Sequence, residues 1–154
     1  MSVATDLGYF SEEVKNAVVG SEAILIEANY DRDMLWNGPY PWPLKKRVDG
    51  ENGHLCNIDC ADAVCYLYRN GTRHFVLGHL SQENNSPMTA EKEIIRALDT
   101  QSAVLGESYF LSVARRYCPS EAVILTPYSD KTGEQTVLEV ADNTTETYGL
   151  GATL

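Results

Sequence analysis

Asp6 and His79 are two side chains whose setting could present a metal ligand. Asp6 closes the short β run Met1 to Thr5 and is followed by a Leu7-Gly8 turn. A carboxylate presented in that way can serve as a metal ligand or a general base. His79 follows Phe75-Val76-Leu77-Gly78, so a strand end would aim its imidazole. The polar run Leu80 to Asn85 behind it, Asn84 and Asn85 included, can fix the ring's tautomer through hydrogen bonds. Each residue also has a plain structural reading, since Asp favours turns by bonding its own backbone and a lone His commonly fills a structural role.

Other residues could join such chemistry. His54 lies just before a helix start at Leu55-Cys56-Asn57. It would there sit beside free backbone N–H groups at the positive end of the helix, a place suited to phosphate; the alternative is an exposed loop histidine. Glu27, Asn29 and Asp31 close the apolar strand Ala23 to Ile26, where they would orient ligands or a water, or cap the following turn. Lys45-Lys46-Arg47 is the one basic cluster, able to meet a phosphate backbone or simply to form a solvated helix face. His74 reads as a strand residue.

The elements that must position these groups follow from patterning. Ser11 caps a short helix running to Val18 and ended by Gly20, and Ala23 to Ile26 is a buried strand. Asn29 to Pro43 reads as a functional loop anchored by Met34, Leu35, Trp36, Tyr40 and Trp42. A helix starts at Pro43 and stops at Asp49-Gly50, and another spans Asn57 to Tyr68 with Asn70-Gly71 behind it. Phe75 to Leu77 is a strand, Thr89 starts a helix with Ile94, Ile95 and Leu98 as its stripe, and strands follow near Tyr109 to Val113, Ala122 to Leu125 and Thr136 to Val140. Alternation at these lengths predicts an α/β fold, helices covering a mixed sheet whose last strands run antiparallel at an edge.

Length and composition narrow the function. The 154 residues suit one domain, expected over 1–143, with a polar, flexible tail at 144–154. A formal charge of −10 excludes broad, salt-driven adhesion to nucleic acid, so any such contact is local. No run is long and apolar enough for a membrane span and no secretory signal is evident, which predicts a cytoplasmic protein. The four cysteines, at 56, 60, 65 and 118, contain no CxxC pair and read as free buried thiols.

Three segments, Ala4 to Tyr9, Leu25 to Asp31 and Gly78 to Asn85, resemble in order and spacing the YycJ/WalJ group of metallo-β-lactamase-fold hydrolases, which is related to the RNase Z branch. Met34-Leu35, Gly38 to Trp42, Lys46-Arg47 and Gly53 to Asn57 resemble the group's central segment, so the similarity covers at least residues 3 to 98. The resemblance implies the C-terminal half of an αββα sandwich and a centre of two divalent ions, zinc or manganese. In that centre Asp6 would bridge the metals and His79 bind one of them. His54 would take the catalytic role of a histidine that contacts substrate phosphate and assists proton transfer. Lys46, Arg47 and Asn57 would contact substrate. The implied reaction is metal-assisted hydrolysis of phosphodiesters, nuclease-like, on DNA or RNA.

The group's HxHxDH cluster and its middle histidine ligand have no counterpart among the three histidines here. Two protein ligands are fewer than a catalytic zinc uses, so weak metal binding and no turnover by this chain alone are expected. An N-terminal half bearing HxHxDH, in cis or in trans, is the expected partner, and exposed apolar surface should favour self-association. The alternatives are a non-enzymatic binding or assembly module and a hydrolase of small cyclic phosphodiesters.

Overall fold

The computed structural model describes residues 1–120 together with 122, 123 and 125. Its elements run β1 (Ser2–Ala4), α1 (Glu12–Val18), β2 (Ala23–Glu27), α2 (Arg32–Asn37), α3 (Trp42–Val48), α4 (Asn57–Arg69), β3 (His74–Gly78), α5 (Pro87–Asp99) and β4 (Phe110–Val113). Most helices start where a side chain accepts a free N–H. Ser11 takes that of Val14, Asp31 that of Met34, Cys56 that of Asp59 and Ser86 that of Thr89. Burial pushes the Cys56 thiol up to about 11, so it caps α4 as a neutral group.

Two expectations about elements are corrected by these caps. The stretch from Asn29 to Pro43 is not all loop, because the Asp31 carboxylate starts α2 inside it. The helix expected from Thr89 begins at Pro87, since Ser86 is its cap and proline suits a first turn. The segment around Ala122 to Leu125 shows no regular structure at its described residues, 122, 123 and 125. Thr136 to Val140 and the tail at 144–154 lie outside the described residues.

The described sheet is parallel throughout, in the order β1-β2-β3-β4, rather than mixed. Every link between successive strands contains a helix, and a helical crossover returns the chain in its original direction. Register places Ala4 opposite Ile26, Ile26 opposite Leu77 and Leu77 opposite Val113.

Alternation then gives the sheet two unlike faces. Ile24, Ile26, Phe75 and Leu77 join Val64 and Leu67 of α4 and Ile94 and Leu98 of α5 in the main core. Val3, Leu25 and Val76, in register on the opposite face, stand outside that cluster, and Val3 is 65% exposed. A smaller core of Tyr30, Leu35 and Cys56 ties α2 to the start of α4. Cys56, Cys60 and Cys65 are buried free thiols as expected, whereas Cys118 is exposed. Among the described residues no helix is long and apolar enough to cross a membrane.

A candidate metal centre at the strand ends

Because β1, β2 and β3 are parallel neighbours, their C-terminal ends open side by side, and the residues leaving them share one edge of the sheet. Asp6 leaves β1, Glu27 ends β2 and His79 leaves β3. Asp6 has φ 59° and His79 φ 53°, left-handed backbone that few non-glycine residues adopt. Such strain costs on the order of 1–3 kcal/mol per residue and concentrates at functional sites.

Glu27 is the hub. Its side chain is fully buried, and a carboxylate there requires partners on both oxygens. Oε2 accepts the Leu7 backbone N–H at 2.8 Å, which fixes the turn after Asp6. Oε1 lies 2.8 Å from His79 Nδ1 in a hydrogen bond and 2.7 Å from His54 Nδ1. The His54 contact is not aligned as a hydrogen bond, which leaves Nδ1 a buried polar atom without a donor–acceptor partner. One carboxylate oxygen therefore faces both imidazoles, whose rings meet edge to face at 5.1 Å.

Asp6 Oδ1 is 3.9 Å from Nδ1 of each histidine. Asp6, His54 and His79 each offer a ligand atom within 4.8 Å of the others, and no second such group occurs among the described residues. The set opens outward, with the Asp6 side chain 70% exposed, His79 43% and His54 28%. One carboxylate and two imidazoles suit zinc or manganese. The donors fit one ion; the expected pair of ions requires more ligands than these three.

Backbone bonds hold the histidine segments together. The Asn29 N–H donates to Leu55 O at 2.9 Å, its side-chain amide donates to His79 O at 2.7 Å, and its carbonyl accepts the Ser81 N–H at 2.7 Å. Asn29 thus fastens both histidine-bearing segments from the end of β2. Asn85 and Asn57 form a reciprocal buried amide pair at 3.0 and 2.8 Å, and Asn85 also donates to Ala28 O at 2.8 Å. Asn84 donates its backbone N–H to Ser81 Oγ and accepts the Asp31 N–H on its carbonyl, shaping the turn behind His79.

Several sequence expectations change here. His54 joins Asp6 and His79 as a third potential donor instead of standing apart at the α4 terminus. The N–H groups there are taken, that of Asn57 by Tyr30 O and that of Asp59 by Cys56 Sγ. Asn57, expected to touch substrate, is 2% exposed with its side-chain amide engaged by Asn85. The Asp31 carboxylate caps α2 rather than orienting a ligand. Lys45 is buried and donates to Trp36 O at 2.8 Å, so only Lys46 and Arg47 of the basic cluster face solvent. Glu27 was legible as an orienting residue, being the acidic end of an otherwise apolar strand; that it serves two histidines at once was not.

No protein-family model matches the chain, and no solved structure matches it. Among curated proteins it is 35% identical over 109 residues to exodeoxyribonuclease YycJ of Bacillus anthracis, covering 71% of this chain and 41% of that relative. It is 40% identical over 94 residues to exodeoxyribonuclease WalJ of Streptococcus pneumoniae serotype 2, covering 61% of this chain and 35% of that relative. The chain spans less than half the length of the curated relatives it matches. By sequence it is a relative of proteins named exodeoxyribonuclease YycJ and WalJ, matching part of each.

Proposed function

We propose that this chain contributes one wall of a metal-dependent nuclease site that hydrolyses phosphodiester bonds in DNA or RNA. The observation that carries this reading is the convergence of Asp6, His54 and His79 above the buried Glu27 carboxylate. Relatives named exodeoxyribonuclease support the substrate class. A divalent cation at these residues would neutralise phosphate charge and acidify a water.

The chain's own residues prepare that site. Glu27 accepts the Nδ1 proton of His79, which leaves Nε2 of that ring with a free lone pair and fixes the ring's direction. The same carboxylate oxygen lies 2.7 Å from His54 Nδ1, which sets that imidazole beside His79, where it would ligate the ion or contact a substrate phosphate.

The three donors supply the minimum for one catalytic ion, so the complete centre takes further ligands from a segment bearing HxHxDH, in cis or in trans. The sheet face of Val3, Leu25 and Val76, on which Glu27 also lies, is apolar and most open at its β1 edge, where Val3 is 65% exposed; such a half would pack there to complete an αββα sandwich. Joining this chain to an HxHxDH-bearing half should give DNA or RNA cleavage that a chelator abolishes and Mn²⁺ or Zn²⁺ restores. Absence of cleavage when both halves are folded and associated would overturn the proposal.

A further inference from the structure

Both tryptophans of the chain lie together on the surface, outside the candidate metal centre. Trp36 on α2 and Trp42 at the start of α3 meet edge to face, with ring centroids 6.4 Å apart, and remain 38% and 58% exposed. The pair is braced from beneath: the buried Lys45 donates to Trp36 O at 2.8 Å and so pins the end of α2 to α3. Lys46 Nζ lies 4.0 Å from the centre of the Trp42 ring, and Arg47 follows it, exposed. A rigid pair of large aromatics left in water beside two cations is unusual in a chain whose formal charge is −10.

We propose that Trp36, Trp42, Lys46 and Arg47 form a stacking platform for single-stranded nucleic acid. The proposal rests on the nuclease reading for its direction but not for its test. Aromatic faces accept any unstacked base, and adjacent cations meet the phosphates that link those bases. A duplex hides its base faces, and wrapping it requires a broad positive surface that this acidic chain does not have. The platform also connects to the metal centre. The carbonyl of Val48, the last residue of α3, accepts the His54 N–H at 2.9 Å. A Cβ on Gly53 would come within 2.4 Å of Arg47 O and 2.2 Å of Val48 O, so the α3 backbone abuts the segment carrying His54. A strand stacked on the tryptophans would be delivered along α3 toward Asp6, His54 and His79.

Since Trp36 and Trp42 are the only tryptophans, intrinsic fluorescence reports on the platform directly. The full chain, without metal, is titrated with single-stranded oligothymidylate and oligouridylate, with a duplex of the same length, and with heparin as a purely electrostatic polyanion. Saturable quenching by one or both single strands is expected, stronger than by the duplex or heparin. The DNA and RNA arms show which sugar is preferred. Two cations imply a shallow salt dependence, a log–log slope no steeper than about −1.4 at −0.7 per phosphate contact. Trp42→Ala should weaken binding by about tenfold or more, Trp42→Phe should restore most of it, and Lys46→Gln should cost a smaller factor. Asp6→Ala should leave quenching intact, which separates the platform from the metal chemistry. Quenching by heparin equal to that by single strands, or no quenching by either single strand at low salt, overturns the platform while leaving the proposed cleavage site standing.

Discussion

The two ends of the sheet make the same demand on the backbone and answer it with different residues. At the N-terminal end, the turns that lead from α1 into β2 and from α4 into β3 need left-handed backbone, and Gly20 (φ 84°) and Gly71 (φ 98°) supply it. Glycine meets that demand without a Cβ penalty. At the C-terminal end the left-handed positions after β1 and β3 hold Asp6 and His79. Both carry donor atoms that glycine lacks and both face Glu27 or its histidine partners. At Gly20 and Gly71 the chain only turns and uses the residue that turns most easily; at Asp6 and His79 it keeps the donor and accepts the strain. Ser102, exposed in the turn before β4 at φ 56°, shows that a positive φ alone does not mark a site.

The sharpest way to break this contrast is to remove the donors. Asp6→Ala and His79→Ala should each lower Zn²⁺ or Mn²⁺ affinity by more than about a hundredfold by calorimetry; alanine keeps the Cβ that makes the left-handed backbone costly, so neither change relieves that strain. Unchanged cation affinity would reduce the two residues to ordinary turns. Next in size, Glu27→Gln keeps an acceptor for the Leu7 N–H but removes the charge that holds two imidazoles, and should weaken cation binding by about 10–100-fold. An affinity equal to that of the parent would show that the histidines are held by their backbones alone.

The amide pair beneath the site sharpens the comparison from the side of stability. Asn85→Ala strands the Asn57 side chain, Ala28 O and the Ser86 N–H in a buried space, and should cost about 2–3 kcal/mol in urea unfolding. A double variant with Asn57→Ala should cost less than the sum of the two single changes. Smallest of all, Gly20→Ala and Gly71→Ala should each destabilise by about 1 kcal/mol without altering cation affinity, since open space surrounds both positions and only φ resists the new methyl. A change in cation binding there would mean that the two sheet ends are not independent.

Much of this arrangement is legible in the sequence. Asp6 and His79 stand out because each follows the end of a short β run, and Ser11, Asn70-Gly71 and Pro43 mark helix ends by local chemistry that needs no tertiary information. His54 as a third donor is not legible, because its place depends on Glu27 arriving beneath it from a strand 27 residues earlier (54 minus 27). Asn57 looks like a substrate contact from its neighbourhood, and only its pairing with Asn85, 28 residues on, takes it inside. Lys45 reads as one of three surface cations until α2 presents a carbonyl to its ammonium group. In each case the side chain's type is visible in the sequence and its partner is not.

The parallel register has one more consequence, in the order of events during folding. No two strands of this sheet can pair as a local hairpin; β1 must wait for α1 to bring β2 alongside, and β2 for three helices to return β3. Asp6, Glu27, His54 and His79 therefore meet only after the segment from β1 to β3 has condensed, and the early ensemble contains no preformed cradle for a cation. A bound ion would then act mainly as a brake on unfolding, lengthening the lifetime of the finished sheet while leaving the rate of its formation nearly unchanged.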